Sequence, residues 1–191
     1  MEFPVEIDGE ELYSMRELRA KAETNGEAQV MLGEAFFTGD GVPQDYRKAL
    51  LYFQKAVENG ESQGMLDLAM MYRKGIAVDV DLLKTELLCL MAYECGDREA
   101  LGALAEMYIF GMGPVKQDLK KGMEYAYKAI HYRELRSSIL SWFGGLDDFM
   151  EFYNAISQAE PDDVGLRMLG QQLRQSQSPE YKRYEPVGLY D

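Results

Sequence analysis

The chain has 191 residues, 47% of them hydrophobic and 28% charged, with a formal charge of −13. That composition is too apolar for a disordered chain and long enough for one domain or a short repeat array. The acidity argues against a nucleic-acid or anionic-membrane surface, each of which needs a dense basic patch. One histidine and two cysteines leave most metal and nucleophile chemistries without their parts.

The first segment, Met1-Glu2-Phe3-Pro4-Val5-Glu6, has neither the basic start nor the apolar stretch of a secretory signal. No stretch reaches the roughly 18 uninterrupted apolar residues a membrane helix needs. Lys21-Ala22 with Asn25-Gly26 looks like the close of a helix, so residues 1–27 are expected to form an N-terminal capping half-repeat.

From residue 28 an internal repeat organises the chain. Leu32-Gly33-Glu34-Ala35-Phe36-Phe37-Thr38-Gly39 recurs as Leu68-Ala69-Met70-Met71-Tyr72-Arg73-Lys74-Gly75. It recurs again as Leu104-Ala105-Glu106-Met107-Tyr108-Ile109-Phe110-Gly111, each copy displaced by 36 residues. Asp45-Tyr46-Arg47-Lys48-Ala49 returns as Asp81-Leu82-Leu83-Lys84-Thr85 and, after one inserted residue, as Asp118-Leu119-Lys120-Lys121-Gly122. Each unit reads as two helices. Ala28, Leu32 and Phe36 make a core stripe on helix A, and Gly39, Gly41 and Pro43 end it. Asp45 then caps a helix B that runs to about Glu58 and stops at Asn59-Gly60. Small residues at Gly33, Ala49 and Ala56 predict close approach of the paired helices. Cys89 and Cys95 fall on one predicted helix, about 9 Å apart along its axis and on different faces, so they do not bridge. Unbridged thiols suit a reducing compartment, and a cytoplasmic location is expected.

Past residue 133 the copies degrade. Gly144-Gly145 and Asp147 predict a turn and N-cap for a helix from about Asp147 to Gln158. Pro161-Asp162-Asp163 opens another, and Leu169-Gly170 repeats the helix A signature. Residues 134–175 are therefore expected to be a degenerate C-terminal repeat, and residues 176–191 an extended tail, free or lying back on the solenoid.

This pattern resembles the Sel1-like repeat family, relatives of the tetratricopeptide repeats, whose motif runs A-x3-L-G-x2-Y-x2-G-x-G-V-x2-D-x2-K-A and closes with K-A-x3-G. Residues 28–60 follow it nearly position for position, with Phe36 in place of the tyrosine. Residues 64–96 depart at Gly64, Ala69, Ala77 and Thr85. Residues 100–133 keep Ala100, Leu104, Tyr108, Gly111 and Gly113 but carry the insertion. The resemblance implies an all-α fold, an α/α superhelical solenoid of helix-turn-helix repeats over residues 28–133.

No catalytic constellation emerges, so the chain is read as a non-enzyme with no cofactor and no metal. His131, at the end of a helix B, has no nucleophile beside it in the pattern. Gly111-Met112-Gly113-Pro114 lacks the Gly-Lys-Ser/Thr of a phosphate loop. Asp79-Val80-Asp81 meets Leu83-Lys84 where calcium ligands and the glycine should be. Asp147-Asp148 and Asp162-Asp163 sit at predicted helix starts, where negative charge favours the dipole.

A binding surface does emerge. On a wheel of about 100° per residue, the arc of helix A opposite its core stripe carries Val30, Glu34, Phe37 and Thr38 in the first unit. It carries Leu66, Met70, Arg73 and Lys74 in the second, and Gly102, Glu106, Ile109 and Phe110 in the third. In helical-repeat superhelices helix A usually lines the concave side, so these positions are expected to stack into an apolar ribbon rimmed with charge, a mark of partner sites. The alternative is that helix A is buried on more of its circumference, or covered by the tail. Of the twelve methionines, Met70 is the best candidate for exposure.

Acidity concentrates at the ends: eight acids against three bases in residues 1–27, ten against five in 134–191, fifteen against twelve between them. This either keeps the caps soluble or steers a basic partner. Family resemblance implies a protein-binding adaptor or regulator. Within that class, a small acidic member looks like a bacterial immunity protein that neutralises a cognate toxin, with a regulatory or chaperone-like adaptor as the alternative. A cysteine-rich secreted branch of the family is linked to β-lactam binding or hydrolysis, but it staples each repeat with a disulfide, and paired cysteines are missing here.

Overall fold

Three aspartates and three aromatic residues, each recurring once per repeat, set the frame of the molecule. The computed structural model describes residues 4–5, 13–159, 168, 170 and 171, which fall into two compact units, Met1–Asp97 and Arg98–Asp191. The fold is an all-α helical-repeat solenoid.

In the first unit a short antiparallel pair, β1 (Pro4–Val5) with β2 (Tyr13–Ser14), leads into α1 (Met15–Lys21). Two helix pairs follow: α2 (Gly26–Thr38) with α3 (Tyr46–Glu58), and α4 (Ser62–Lys74) with α5 (Leu82–Glu94). Sequence pattern places Asn25-Gly26 at a helix end, yet here Asn25 is the N-cap of α2, its side chain accepting from the Ala28 amide at 2.8 Å. The strand pair, two residues on each side, is too short to leave an alternating signature in the sequence.

The link between the helices of a pair is built the same way each time. Asp45 and Asp81 cap α3 and α5, accepting from the Lys48 and Lys84 amides. Each aspartate also donates its own backbone N–H back to an aromatic residue of the preceding helix: Asp45 to the Phe36 carbonyl at 2.8 Å, Asp81 to that of Tyr72 at 3.1 Å. The lysine one turn into the second helix lies over the same ring, Lys48 5.1 Å from the Phe36 centroid and Lys84 4.8 Å from that of Tyr72. The side chain of Lys48, hydrogen-bonded to Asp45, holds that carboxyl below the usual aspartate range. At Asp81 the backbone bond from Lys84 leads to the same result.

Small residues let the helices close up. A methyl at Gly33 would lie 2.6 Å from the Phe53 ring, and one at Gly64 2.6 Å from the Ala56 Cβ. Thr85 takes the place that Ala49 has in the first pair and is equally buried. Its Oγ1 donates to the Asp81 carbonyl at 2.9 Å, so the extra hydroxyl carries its own hydrogen bond. Gln29 is buried at the N-terminal end. It donates to the Ala22 carbonyl at 3.0 Å and accepts from Asn59 at 2.8 Å, tying the exit of α1 to the exit of α3.

The second unit begins with α6 (Glu99–Phe110) packed on α7 (Leu119–Ala129). The residue inserted here is absorbed in a tight turn in which Met112 and Val115 exchange both backbone hydrogen bonds, at 2.9 and 2.8 Å. The frame survives: Asp118 still donates to the Tyr108 carbonyl at 2.8 Å, and Lys121 lies 4.0 Å from the Tyr108 ring centroid. After α8 (Arg133–Ser141), α9 (Leu146–Gln158) returns to pack on α7, with Tyr127 and Tyr153 stacked at 4.4 Å. The helix α9 starts at Leu146, so Asp147 and Asp148 occupy its first turn and neither is the cap. Gly170 is buried and its carbonyl accepts from Gln117 at 3.1 Å. The helix start expected at Pro161-Asp162-Asp163 and the tail over residues 176–191 lie outside the described residues.

Candidate protein-binding groove

Helices α2 and α4 are the first helices of successive pairs and lie against each other within the first unit. Where they meet, a cavity of about 350 Å³ opens. Phe37 and Thr38 of α2 and Met70 of α4 line it over a floor of Ala35 and Phe53, which are both buried. Three carboxylates complete the lining: Glu34 on α2, Asp40 in the turn after it, and Asp67 on α4. Phe37 is half-buried and held in place by a tilted contact with Tyr46, centroids 5.2 Å apart. The Thr38 hydroxyl donates to the Glu34 carbonyl at 2.9 Å and fixes the last turn of α2.

The structure brings together three of the residues that the helical wheel singles out, Glu34, Phe37 and Met70. Leu66 and Arg73 are half-buried on α4, one turn before and one turn after Met70, and do not line the cavity. Glu106 is half-buried on α6 in the other unit.

The remaining three are not surface. Val30 is 7% exposed, Ile109 0% and Phe110 2%. The expected ribbon therefore does not run through these positions, and neighbouring helices are the reason. The contact that Gly64 permits brings α4 down onto Val30. The glycine at Gly122 does the same for α7 over Ile109, where a methyl would lie 2.7 Å from the Ile109 backbone nitrogen. Phe110 is closed off by the edge of Trp142, centroids 5.4 Å apart.

Two lining groups, Asp40 and Asp67, escape the wheel argument. Asp67 and Met70 are spaced i,i+3 and so share a face, which was the available signal. Other exposed apolar residues fall outside the wheel argument as well. Leu51 on α3 and Leu83 and Leu87 on α5 are each about half exposed, and Leu51 and Leu87 occupy the same repeat position.

Elsewhere, His131 is exposed and donates from Nδ1 to the Tyr127 carbonyl at 2.8 Å. Cys89 is buried, Cys95 is exposed, and neither is bridged. Among the described residues no three His, Cys, Asp or Glu side chains converge as a metal site would require, and no helix is long and apolar enough to cross a membrane.

Residues 26–61, 62–97 and 98–131 each match the Sel1 repeat, together more than half of the chain. The chain belongs to the Sel1 repeat family. Sel1 repeats are generally protein–protein interaction modules and typically non-enzymatic scaffolds. A Sel1 repeat protein from Oxalobacter formigenes has the same fold, with a TM-score of 0.62 and 21% identity over 85% of this chain and 63% of its own. A protective antigen of uropathogenic Escherichia coli with an SLR fold gives 0.63 and 24% identity over 75% of this chain and 32% of its own. This chain thus spans less than two thirds of either structure. No curated protein matches it.

Proposed function

We propose that this Sel1 repeat protein is a non-catalytic binding module whose partner is a basic protein, seated in the groove between α2 and α4. The observation that carries this reading is the cavity itself: about 350 Å³, walled by Phe37 and Met70, with Glu34, Asp40 and Asp67 as its charged lining. The net charge of −13 supports the sign of the partner, because complementary fields raise association rates. The finer role is that of an immunity protein that neutralises a basic toxin. A regulatory or chaperone-like adaptor uses the same surface and differs in what is bound.

The test is affinity capture from the native cell with the wild-type chain and with Phe37→Glu/Met70→Glu, at low and moderate salt. A stoichiometric basic partner held by the wild type and lost by the double variant supports the groove. A partner toxic when expressed alone, and harmless when co-expressed with this chain, supports immunity; a non-toxic one leaves the adaptor. A partner that the double variant retains in full overturns the groove as the binding surface.

A further inference from the structure

The cavity between α2 and α4 has an acidic lining beside apolar walls. Its ionisable lining is Glu34, Asp40 and Asp67, with no lysine, arginine or histidine among the lining residues. Resting on the binding role proposed above, we infer that the cavity receives a single arginine or lysine side chain from an exposed segment of the partner protein. Its alkyl stem lies against Phe37 and Met70 and its cationic head lies among Glu34, Asp40 and Asp67.

The cavity, about 350 Å³, has room for a long side chain. The volume sits near the lower end, about 300 Å³, of pockets that enclose small organic groups. Charge then decides among side chains. An apolar side chain would strip water from three carboxylates and give nothing back, and an anionic one would add repulsion. A cation on a long apolar stem suits both kinds of wall, since such side chains bury their methylenes while the head stays polar. The half-buried Phe37 ring adds attraction for a guanidinium or ammonium close to its face. Glu34 and Asp67 already interact within the chain. Each carboxylate has about four acceptor sites, so the cation is an additional partner and not a replacement.

The test uses the full chain labelled with 13C-methyl methionine, the Met70 methyl signal being assigned through Met70→Leu. The probes are capped pentapeptides Ala-Ala-X-Ala-Ala with X as arginine, lysine, norleucine or glutamate. The arginine and lysine peptides should shift the Met70 methyl saturably, with norleucine and glutamate at least tenfold weaker. Glu34→Gln/Asp67→Asn, which keeps the shape of both side chains, should weaken the arginine peptide at least fivefold and leave the norleucine peptide unchanged. An unaltered pattern for the other methionine methyls confirms that this variant is folded. Equal binding of norleucine and arginine overturns the inference and leaves an apolar protein-binding groove. Free butylguanidine, which carries the same stem and head, should compete with the arginine peptide for the Met70 shift; failure to compete overturns the inference. No response to any peptide also overturns it. Failure of the underlying groove reading shows separately, as a captured partner indifferent to Phe37→Glu/Met70→Glu.

Discussion

Ala77 holds a backbone conformation that its side chain resists. Its φ is +59°, in the left-handed region, and the same repeat position is Gly41 at +66° in the first repeat and Gly113 at +53° in the third. For an L-residue that conformation costs roughly 1–2 kcal/mol, and glycine returns part of the gain through its freer unfolded state. Ala77→Gly should therefore stabilise the chain by about 0.5–1 kcal/mol, and Gly41→Ala should destabilise it by a similar amount. Urea denaturation reads both as opposite shifts in midpoint at constant slope. A midpoint unchanged by Ala77→Gly would mean that the turn relaxes without strain. The neighbouring departure, Thr85, has the opposite character. A hydroxyl buried at an alanine position looks like a flaw until the Asp81 carbonyl is found 2.9 Å from it. Of these two departures in the second repeat, Ala77 is strained and Thr85 is satisfied.

Helix pairs turn on whether a glycine faces a neighbour or open space, which its position in the sequence does not reveal. Gly64 in α4 and Gly102 in α6 are both helix-interior glycines, each costing roughly 1 kcal/mol relative to alanine in an isolated helix. A methyl at Gly64 would meet the Ala56 Cβ at 2.6 Å, while one at Gly102 meets nothing closer than the Leu135 Cδ2 at 3.6 Å. Gly102→Ala should accordingly stabilise by up to about 1 kcal/mol. Gly64→Ala should destabilise by about 1–3 kcal/mol, because α3 and α4 must part to admit the methyl. Thermal melts of the two variants moving in the same direction would contradict this packing.

The same limit decides how much was legible beforehand. The starts of α3, α5 and α7 are readable because an aspartate cap acts on its own segment of chain, as the glycine stop does at the end of α3. The outward face of helix A is not. Periodicity says which side is apolar; it does not say which helix covers the rest. In α6 nearly every residue from Leu104 to Phe110 is buried, so a wheel has no polar side to choose, and Ile109 and Phe110 were misplaced as surface. Phe37 and Met70 come together where α2 meets α4; Met70 occupies the repeat position of Glu34, and Phe37 lies one turn beyond it. Asp40 lies in a turn, outside any wheel, and needed the packed structure to join them.

At the scale of the whole chain, the charge of −13 should act on folding and on the proposed binding with opposite dependence on salt. Unpaired like charges repel and oppose compactness, and the excess is largest in residues 1–27 and 134–191, where acids outnumber bases most. Salt would also weaken attractive pairs at the surface. Lys48–Asp45 and Lys84–Asp81, at 3.1 and 3.5 Å, are exposed and one turn apart on their helices, the kind that contributes little. Long-range repulsion should win. Raising NaCl from about 10 to about 200 mM shortens the screening length from about 30 Å to below 10 Å. The melting temperature should then rise by about 2–4 °C, the response of a chain this size to about 1 kcal/mol. The proposed binding of a basic partner would draw on attraction across the same field, so the identical salt step should slow association and weaken that complex. Thermal melts and binding rates measured over one salt series test the two together. A melting temperature that falls with salt would show that attractions within the chain outweigh the repulsion. A complex indifferent to salt would remove charge as the basis of recognition and leave Phe37 and Met70 as its anchors.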